Sequence, residues 1–510
     1  MSADFHHSDE QDHSEPSEEL NPPDSEAFEL SEEVYARIVE QVQQIQNSLA
    51  AASGAQPPAS SDGKINRADH SHSRVSELNR IVDLPVEIPV PREPNRLEEA
   101  GVSLLSLTEL TLKFLYLSGN ATCQSISQQL KLPVPLVAEG LRSLLLADDL
   151  ELESGESAEL STIRYQLTES GRNRARDVFK QCRYVGPAPV SLEQYLLQCR
   201  LQSVSRLRVT QEQLSRVFSS LVLSDEMLAR LGPATCSGQA ILLSGPTGSG
   251  KTAIARLLGQ LVRDHGGSIY VPYAISVENQ IISVFDARIH QSLPDQTPGE
   301  IAGIDRRWRR VRRPVIEHRG GLDDQKLCYQ SGGENGLTAA PLQLKANGGV
   351  LILDDFNSHT PPTRATVDRW ILSLEDRVDR WSIPSGRTVD VPFEMLAVLT
   401  TSHKAAHFTE SPLVRRIRHK VEIGPPTESQ FREMFRRCCE ERNIRYDDWI
   451  VSRLLATQYN SQNLPKASDS RDLLDVVEAI CRFRGIQAHL SESLIAEAFQ
   501  ECVGNGRAVA

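Results

Sequence analysis

The stretch Ile241-Leu-Leu-Ser-Gly245-Pro-Thr-Gly-Ser-Gly-Lys251-Thr252 decides the fold of this 510-residue chain. From Gly245 onward it satisfies the pattern G-x-x-x-x-G-K-[ST]. An apolar run precedes the pattern, and helical periodicity from Ala253 to Val262 follows it, so the loop joins a predicted strand to a predicted helix. Its glycines allow backbone N–H groups to face phosphate oxygens, and the helix N-terminus adds the positive end of its dipole. The stretch therefore predicts a phosphate-binding P-loop.

Two side chains of the loop have specific expected roles. Lys251 is predicted to reach the β- and γ-phosphates, and the Thr252 hydroxyl is predicted to ligate Mg²⁺. We therefore expect ATP and Mg²⁺ as cofactors. The predicted nucleotide-binding residues of the loop are Gly245, Pro246, Thr247, Gly248, Ser249, Gly250, Lys251 and Thr252.

A second acidic motif follows a strongly apolar run. Four consecutive aliphatic residues, Val350 to Leu353, are followed by Asp354 and Asp355. Such a run is typical of a buried parallel strand, and ligands of doubly wound sheets bind beyond the carboxyl ends of the strands. Asp354 is therefore the predicted second Mg²⁺ ligand. Asp355 is the predicted base that orients the attacking water.

The net charge of −13 is concentrated at the N-terminus. Residues 1–30 hold ten acidic residues and no Lys or Arg, which leaves 58 acidic against 55 basic residues in the rest. Such a block cannot bury enough apolar surface to offset its ordering entropy, so residues 1–98 are predicted to be a disordered acidic tail and linker. Within it, apolar residues at helical spacing from Val34 to Leu49 follow Ser31, which predicts either a partner-binding helix or a transient one.

Residues 99–183 resemble a small winged-helix-like α+β domain. A capping box at Ser106–Glu109 is predicted to open the first helix; the other expected elements are helices at 124–130, 135–146 and 169–179 and a hairpin formed by 150–152 and 164–167. Residues 106–159 carry eight acidic and three basic residues, and the expected wing includes Glu151, Glu153, Glu156 and Glu159. A phosphate backbone requires clustered Lys and Arg, so this domain favours protein docking over duplex binding.

Composition also limits the cellular setting. The sequence has no apolar run long enough to span a bilayer, and its acidic N-terminus does not fit a secretory signal. Nine cysteines are scattered without C-x-x-C spacing, and Cys438 and Cys439 are adjacent, which suits neither a metal site nor an ordinary disulfide. A reducing cytoplasm is the expected compartment.

The order of these motifs over residues 215–505 resembles the AAA+ ATPase superfamily. The run Phe393–Leu399 followed by Thr400-Thr401-Ser402 looks like the family's sensor-1 strand, with Ser402 at the sensor position. Arg415 and Arg416 lie in a segment that resembles the arginine finger, which in the family reaches the nucleotide of a neighbouring subunit; an ordinary basic helix end is the alternative. Arg471, at a predicted helix start, resembles sensor 2, with a solvent-facing arginine as the alternative. The fold implied is α/β: a five-stranded parallel sheet followed by a helical lid.

Two residues depart from the pattern of the family. Asp355 stands where the family usually has Glu, and Ser402 or Thr401 stands where it commonly has Asn. Both replacements are shorter, and a displacement of about 1 Å in a reacting group costs about 100-fold in rate. Nucleotide binding should therefore be intact, whereas hydrolysis is expected to be slow.

Two further segments separate this chain from a minimal ATPase. Residues 305–313 contain six arginines and Trp308. This run predicts either a pore, partner or anion-binding loop with Trp308 as a stacking platform, or a solvated strand or loop edge that pairs with acids of a neighbouring subunit. Residues 377–383 and 387–391 predict a hairpin before the sensor-1 strand. That hairpin resembles the MoxR-like and magnesium-chelatase-like branch of the superfamily.

The sequence thus predicts four parts: a tail over 1–98, the winged-helix-like domain over 99–183, an AAA+ nucleotide-binding domain over 186–424, and a helical lid over 425–505. The leading functional prediction is an ATP-hydrolysing ring homo-oligomer, hexamer-like, that remodels or assembles an unknown protein partner. The alternatives are a slowly hydrolysing, nucleotide-gated binding module and a DNA-associated ATPase that uses the winged helix or the 305–313 arginines.

Overall fold

The computed structural model describes residues 88–153, 163–278, 280–294, 303–330, 337–357, 363–383, 386–402, 412–460 and 463–504. Most of the predicted tail, including the segment from Ser31 to Leu49, lies outside these residues, as do Glu156 and Glu159 of the predicted wing. The statements below concern the described residues.

The N-terminal part is a small mixed α and β unit. Its elements are α1 (Leu97–Ala100), α2 (Leu104–Ser118), β1 (Asn120–Thr122), α3 (Cys123–Leu130), α4 (Val134–Leu146), β2 (Leu150–Glu153), β3 (Arg164–Leu167) and α5 (Glu169–Gln181). The expected helices and hairpin are therefore present, and β1 adds an edge strand in the antiparallel order β1-β3-β2. Apolar side chains from the helices and β3, among them Leu107, Ile126, Leu141 and Tyr165, share one buried core.

The predicted start of the first long helix is wrong. Ser103, and not Ser106, is the N-cap, because its hydroxyl accepts a hydrogen bond from the Ser106 backbone N–H at 3.1 Å. Ser106 is itself the third residue of the helix. Two serines three positions apart offered two possible caps, and the earlier one satisfies a free backbone donor that the later one would leave unpaired.

Three helices lead from this unit to the central sheet. After β4 (Val190–Ser191) come α6 (Leu192–Leu201), α7 (Gln211–Val217) and α8 (Asp225–Cys236). The second ends at Val217, and a 3₁₀ turn, Phe218–Ser220, follows. The Ser219 hydroxyl donates to the Arg216 carbonyl at 2.8 Å, and this local bond competes with the helical ladder.

The middle of the chain contains most of the strands. The first half comprises β5 (Ile241–Ser244), α9 (Lys251–His265), β6 (Ser268–Pro272), β7 (Ala274–Val277), β8 (Gln280–Ser283), β9 (Trp308–Arg312) and β10 (Val315–Arg319). The second half comprises β11 (Thr338–Ala339), α10 (Leu342–Lys345), β12 (Val350–Asp354), α11 (Arg364–Asp376), β13 (Val378–Ser382), β14 (Thr388–Pro392), β15 (Leu396–Thr401), α12 (Pro412–Arg416) and β16 (His419–Glu422).

Five of these strands form the predicted parallel sheet. Its order is β10-β12-β15-β5-β16, and every neighbouring pair is parallel. On one face, α9 packs Ile254 and Leu258 against Ile352 and Val398 of the sheet. On the other face, Trp370 of α11 belongs to the cluster that buries Leu353 and Leu399. Burial of both faces explains the continuous aliphatic runs, and the α/β fold class is confirmed.

Smaller sheets surround the parallel one. β11, β8, β7 and β4 form a four-stranded sheet, β6 pairs antiparallel with β9, and β13 pairs antiparallel with β14. The hairpin predicted from residues 377–391 is therefore present. The strand expected at 393–399 begins three residues later and runs to Thr401, since Phe393 and Met395 instead pack beside Trp370.

The arginine-rich run does not form the loop that one interpretation required. It forms β9 and its flanks, and Trp308 is buried in a core, so Trp308 is not a stacking platform. Arg307 is 1% exposed and pairs with the buried Asp305 at 2.8 Å. The strand interpretation is correct, but its solvated character is wrong for Arg307 and Arg313, which are both buried.

These two buried arginines bind backbone carbonyls from distant segments. Arg307 donates to the carbonyls of Ala100 and Pro189 at 2.6 and 2.9 Å, and so ties the N-terminal unit to the middle of the chain. Arg313 donates to Gly266, Gln202 and Gly348 carbonyls. Burial lowers the pKa of Arg313 to about 10.

The C-terminal part is helical, as predicted. It comprises α13 (Glu428–Glu441), α14 (Asp448–Gln458), α15 (Asp469–Phe483) and α16 (Glu492–Phe499), followed by a π turn, Gln500–Gly504. Thr427 and Gln430 form a capping box at the start of α13. The helices share a core that includes Phe431, Val451 and Leu473. Within the residues that the structure describes, no helix has both the length and the apolar character required to cross a membrane.

The Arg307 contacts predict a large stability effect. We expect Arg307→Ala to lower the free energy of unfolding by about 3–5 kcal/mol, because it leaves the buried Asp305 carboxylate without its cation. Urea unfolding followed by circular dichroism measures the change. Arg312→Ala, at the exposed last residue of β9, is the matched control and should change stability by about 0.5 kcal/mol or less. Equal effects of the two substitutions would contradict this assignment.

Candidate nucleotide site

The carboxyl ends of the central strands bring the predicted site residues together. In the parallel register, Ser244 of β5 lies opposite Thr401 of β15, and Asp354 of β12 lies opposite Arg319 of β10. The loop that follows β5 and the two acids at the end of β12, Asp354 and Asp355, therefore meet at one edge of the sheet. β15 lies between their two strands.

The P-loop needs glycines for two reasons: the backbone conformation at Gly248 and Gly250, and the lack of space for a side chain at Gly245. Gly248 and Gly250 have φ values of 81° and 93°, a region that side-chain-bearing residues rarely adopt. At Gly245, an added Cβ would lie 2.2 Å from the carbonyl oxygen of Ile423, which comes directly after β16. There is therefore no space for a side chain at Gly245. Gly250 precedes the first residue of α9, which places the helix N-terminus at the loop, as the motif requires.

Lys251 is folded back onto the loop. Its Nζ donates to the carbonyls of Gly245 and Pro246, at 2.9 Å each. Burial lowers the pKa of Lys251, while the nearby Asp355 and Asp354 carboxylates oppose that shift. The ammonium group is thus held at the centre of the loop, where phosphate oxygens can replace the two carbonyls.

The Asp354 carboxylate joins the loop to the sheet. Its Oδ1 accepts hydrogen bonds from the hydroxyls of Thr252 at 2.7 Å and Thr400 at 2.8 Å. A carboxylate and a hydroxyl side by side are hard oxygen donors of the kind that Mg²⁺ takes, with its other ligands from phosphates and water. Thr252 and Asp354 therefore fit the metal that the P-loop implies. Among the described residues, no group of three or more His, Cys, Asp or Glu is arranged to hold a metal ion.

Asp355 is held by the end of the neighbouring strand. Its Oδ1 accepts from the hydroxyl of Ser402 at 3.0 Å and from the Ser402 N–H at 3.2 Å. Its own N–H donates to the Thr400 hydroxyl at 2.8 Å, and its φ is 53°. Thr401 instead donates to Asn357. Of the two predicted sensor candidates, Ser402 is thus the one that the structure pairs with Asp355.

The helical C-terminal part closes the cavity. The Ser468 N–H donates to the Gly248 carbonyl at 3.0 Å, so the loop before α15 touches the P-loop directly. Arg471 lines the same cavity, with a side chain that is 66% exposed and a long contact of 3.7 Å to Asp472. The cavity has a volume of about 550 Å³, which suits a ligand the size of a nucleotide.

The predicted arginine finger lies away from this cavity. Arg415 and Arg416 are exposed residues of α12 and do not line it. Arg416 pairs with Glu375 of α11 at 2.6 Å. The structure therefore brings together the loop, Asp354, Asp355, Ser402 and Arg471, but not the two finger candidates.

Several residues that line the cavity were not predicted from the sequence. Thr400 lies in the quoted polar run, but only strand pairing shows that it contacts both acids. Arg319 ends a strand that no motif marked. The remaining wall is formed by the segment from Ser220 to Leu223 and by α13 residues, of which Met434, Arg437 and Cys438 are examples. These lie far from the motif in sequence, so no local signal could have found them.

Comparisons with known proteins are limited. A domain of unknown function, DUF8689, matches residues 427–501, the helical C-terminal part. No curated protein shows significant similarity to the chain.

Among solved structures, the chain is similar to two proteins of Thermotoga maritima. The RuvB Holliday junction branch migration motor is 14% identical, with 57% of this chain and 70% of that chain covered, at a TM-score of 0.31. Domain III of the replication initiation protein DnaA is 11% identical, with 56% and 96% covered, at a TM-score of 0.32. At these scores, the functional proposal rests on the site geometry alone.

The double contact of Thr400 gives a testable expectation. We expect Thr400→Val, which removes the hydroxyl from both Asp354 and the Asp355 N–H, to destabilise the protein by about 1–3 kcal/mol, because a buried donor is left unpaired. Urea unfolding measures the change.

The matched control is Thr235→Val. Thr235 is also buried, but its hydroxyl donates only to the Leu231 carbonyl within its own helix. That substitution should cost less than about 1 kcal/mol. A Thr400→Val variant as stable as the control would show that the shared hydroxyl does not organise the acids.

Proposed function

We propose that this protein binds ATP with Mg²⁺ between the P-loop and the C-terminal helices, and hydrolyses it. The observation that supports this proposal is the Asp354 carboxylate, bonded to the Thr252 hydroxyl in a cavity that also contains Lys251, Asp355 and Arg471. A phosphate cradle, two hard oxygen ligands, a second carboxylate and a cation from the lid are the parts that phosphoryl transfer requires.

Each residue of the site has a separate role in nucleotide binding or hydrolysis. Lys251 leaves the carbonyls of Gly245 and Pro246 and binds phosphate oxygens, aided by the loop N–H groups. Thr252 and Asp354 hold the metal, which when bound neutralises charge on the phosphates. Asp355 accepts a hydrogen bond from the attacking water, and Ser402 orients Asp355. Arg471 contacts the nucleotide from the lid.

Hydrolysis is expected to be slow. The Asp355 side chain is short, and its Oδ1 already accepts two hydrogen bonds from Ser402. These bonds hold the short Asp355 side chain toward Ser402, which limits its reach toward a water. This observation favours the second candidate function, a nucleotide-gated binding module in which ATP changes the lid position and turnover is rare.

We propose that the partner of this ATPase is a protein. The N-terminal unit, interpreted as a winged-helix-like domain of residues 99–183, is joined to the nucleotide-binding region of 186–424 by the buried Arg307 contacts to Ala100 and Pro189. A rigid joint of this kind can pass a change at the nucleotide to a docked partner. Against a DNA-binding role, Arg307, Arg313 and Trp308 are buried, so they cannot form the basic surface that duplex binding needs. A cytoplasmic location remains a prediction.

We also propose that ring assembly completes the site. Arg415 and Arg416 are exposed on α12, outside the cavity of their own chain, which is the placement that a residue acting on a neighbour's nucleotide needs. Either arginine fits this role, and Arg416 would have to leave Glu375 to reach a neighbouring chain. We propose in addition that residues 425–505 act as the lid of the site and that the hairpin of β13 and β14 places the chain in the MoxR-like branch.

Nucleotide binding and turnover test the main proposal. We expect the protein to bind a fluorescent ATP analogue with Mg²⁺, and Lys251→Ala to lose most of this binding because the central phosphate contact is gone. Asp355→Asn should keep binding and lose turnover by about 100-fold or more, since a positioned base contributes about 10²–10⁴-fold.

Lys420→Ala is the control for charge, because Lys420 is an exposed lysine on β16. It should behave as the unchanged protein. Binding that is equal in the Lys251 and Lys420 variants would contradict the site. Turnover that is undetectable in the unchanged protein, together with intact binding, would replace the ATPase by the nucleotide-gated module.

The assembly proposal has a separate measurement. Light scattering with ATP and Mg²⁺ should show an oligomer, and Arg415→Ala or Arg416→Ala should lose turnover while each chain still binds nucleotide. Arg418→Ala, at an exposed arginine just after α12, is the control. A monomer under these conditions would rule out a finger that acts between subunits.

A further inference from the structure

Arg319 makes a contact at the metal end of the site that the proposed chemistry does not use. It is the last residue of β10 and lies opposite Asp354 in the parallel register. Its Nε is 3.2 Å from Oδ2 of Asp354. Because Oδ1 is taken by Thr252 and Thr400, both oxygens of this carboxylate have a partner.

The position of Arg319 is set by a second carboxylate. Its NH2 group is 3.4 Å from Oε1 of Glu317, two residues earlier on the same strand. Glu317 is itself held by two hydrogen bonds from Arg256 of α9, at 2.6 and 2.8 Å. These bonds, more than any other contact, lower the pKa of Glu317, so the acid is charged at neutral pH. Arg256, Glu317 and Arg319 thus form a charged row that leads along β10 to Asp354.

The Arg319 side chain is also able to move away from Asp354. It is 66% exposed and lines the nucleotide cavity, in contrast to the buried Asp354. An exposed ion pair is weak and exchanges readily, whereas a buried one does not. Glu317 remains next to the guanidinium as an alternative partner when the Asp354 contact opens.

We propose that Arg319 is a positioning residue that competes with Mg²⁺ for Asp354, and so sets the Mg²⁺ concentration at which the site takes up nucleotide. The proposal rests on the proposed function, since it concerns the same metal ligand. Without the metal, Arg319 neutralises Asp354 and keeps the carboxylate turned toward Thr252. Bound Mg²⁺ would neutralise the Asp354 carboxylate, so Arg319 would lose this partner and pair with Glu317 instead.

The test measures the Mg²⁺ dependence of binding and not turnover. Full-length protein is mixed with a fluorescent, non-hydrolysable ATP analogue, and MgCl₂ is titrated while anisotropy is recorded. We expect Arg319→Ala to lower the half-saturating MgCl₂ concentration about two- to fivefold, the range that corresponds to loss of an exposed ion pair. Arg319→Lys should give a smaller decrease, because it keeps the charge but not the planar guanidinium.

Arg312→Ala is the matched control. Arg312 is an exposed arginine of β9 that does not line the cavity. It should leave the half-saturating MgCl₂ concentration unchanged, which separates competition from a general loss of positive charge. Thermal unfolding of each variant checks that it is folded, and Arg319→Gln is the second variant if Arg319→Ala is not.

The outcomes are distinct. An unchanged or raised Mg²⁺ requirement in the folded Arg319 variants, with binding intact in the unchanged protein, overturns this inference and leaves the proposed function standing. An equal decrease in Arg312→Ala also overturns it, because charge alone would then explain the effect. No binding by the unchanged protein at any Mg²⁺ concentration contradicts the proposed function, and the inference with it.

Discussion

The Asp354 carboxylate is the group on which the rest of the site depends. Three segments that are remote in sequence reach it: Thr252 from the P-loop helix, Thr400 from β15, and Arg319 from β10. A buried carboxylate is costly unless its oxygens are satisfied, so these contacts fix the P-loop helix against the sheet before any ligand is present. The same geometry places two oxygen donors where a divalent cation would sit. The Asp354 side chain therefore both links the P-loop helix to the sheet and serves as the proposed metal ligand.

Thr400 extends that constraint to the second acid. Its hydroxyl donates to Asp354 and accepts from the Asp355 N–H, so the two neighbouring acids are oriented by one residue of the adjacent strand. Asp355 is then turned toward Ser402, at the end of that strand. The short Asp355 side chain is thereby held against Ser402. This is the physical basis for expecting slow turnover.

Burial changes the meaning of the arginine-rich segment. Six arginines in nine residues suggest a solvated or anion-binding surface when only the sequence is considered. In the structure, Arg307 and Arg313 are enclosed and satisfy carbonyls of five different segments, including Ala100 and Gly348. Guanidinium groups with several donors can bridge strands and loops in this way, because their planar geometry serves more than one carbonyl at once. The segment is thus a structural joint between the N-terminal unit and the nucleotide-binding region.

The sequence by itself determined the P-loop, the aliphatic strand that ends at Asp354 and the helical C-terminal part, because each depends on a local pattern of glycines, aliphatic runs or helical spacing. The five-stranded parallel sheet was expected from the resemblance to the AAA+ superfamily. The sequence also identified Asp355 and Ser402 without showing that they touch. Only the tertiary structure decided that Ser402 and not Thr401 faces Asp355, that Thr400 and Arg319 belong to the site, and that Arg307 and Arg313 are buried. Those outcomes depend on strand register and on burial, and both are set by packing between segments far apart in the chain.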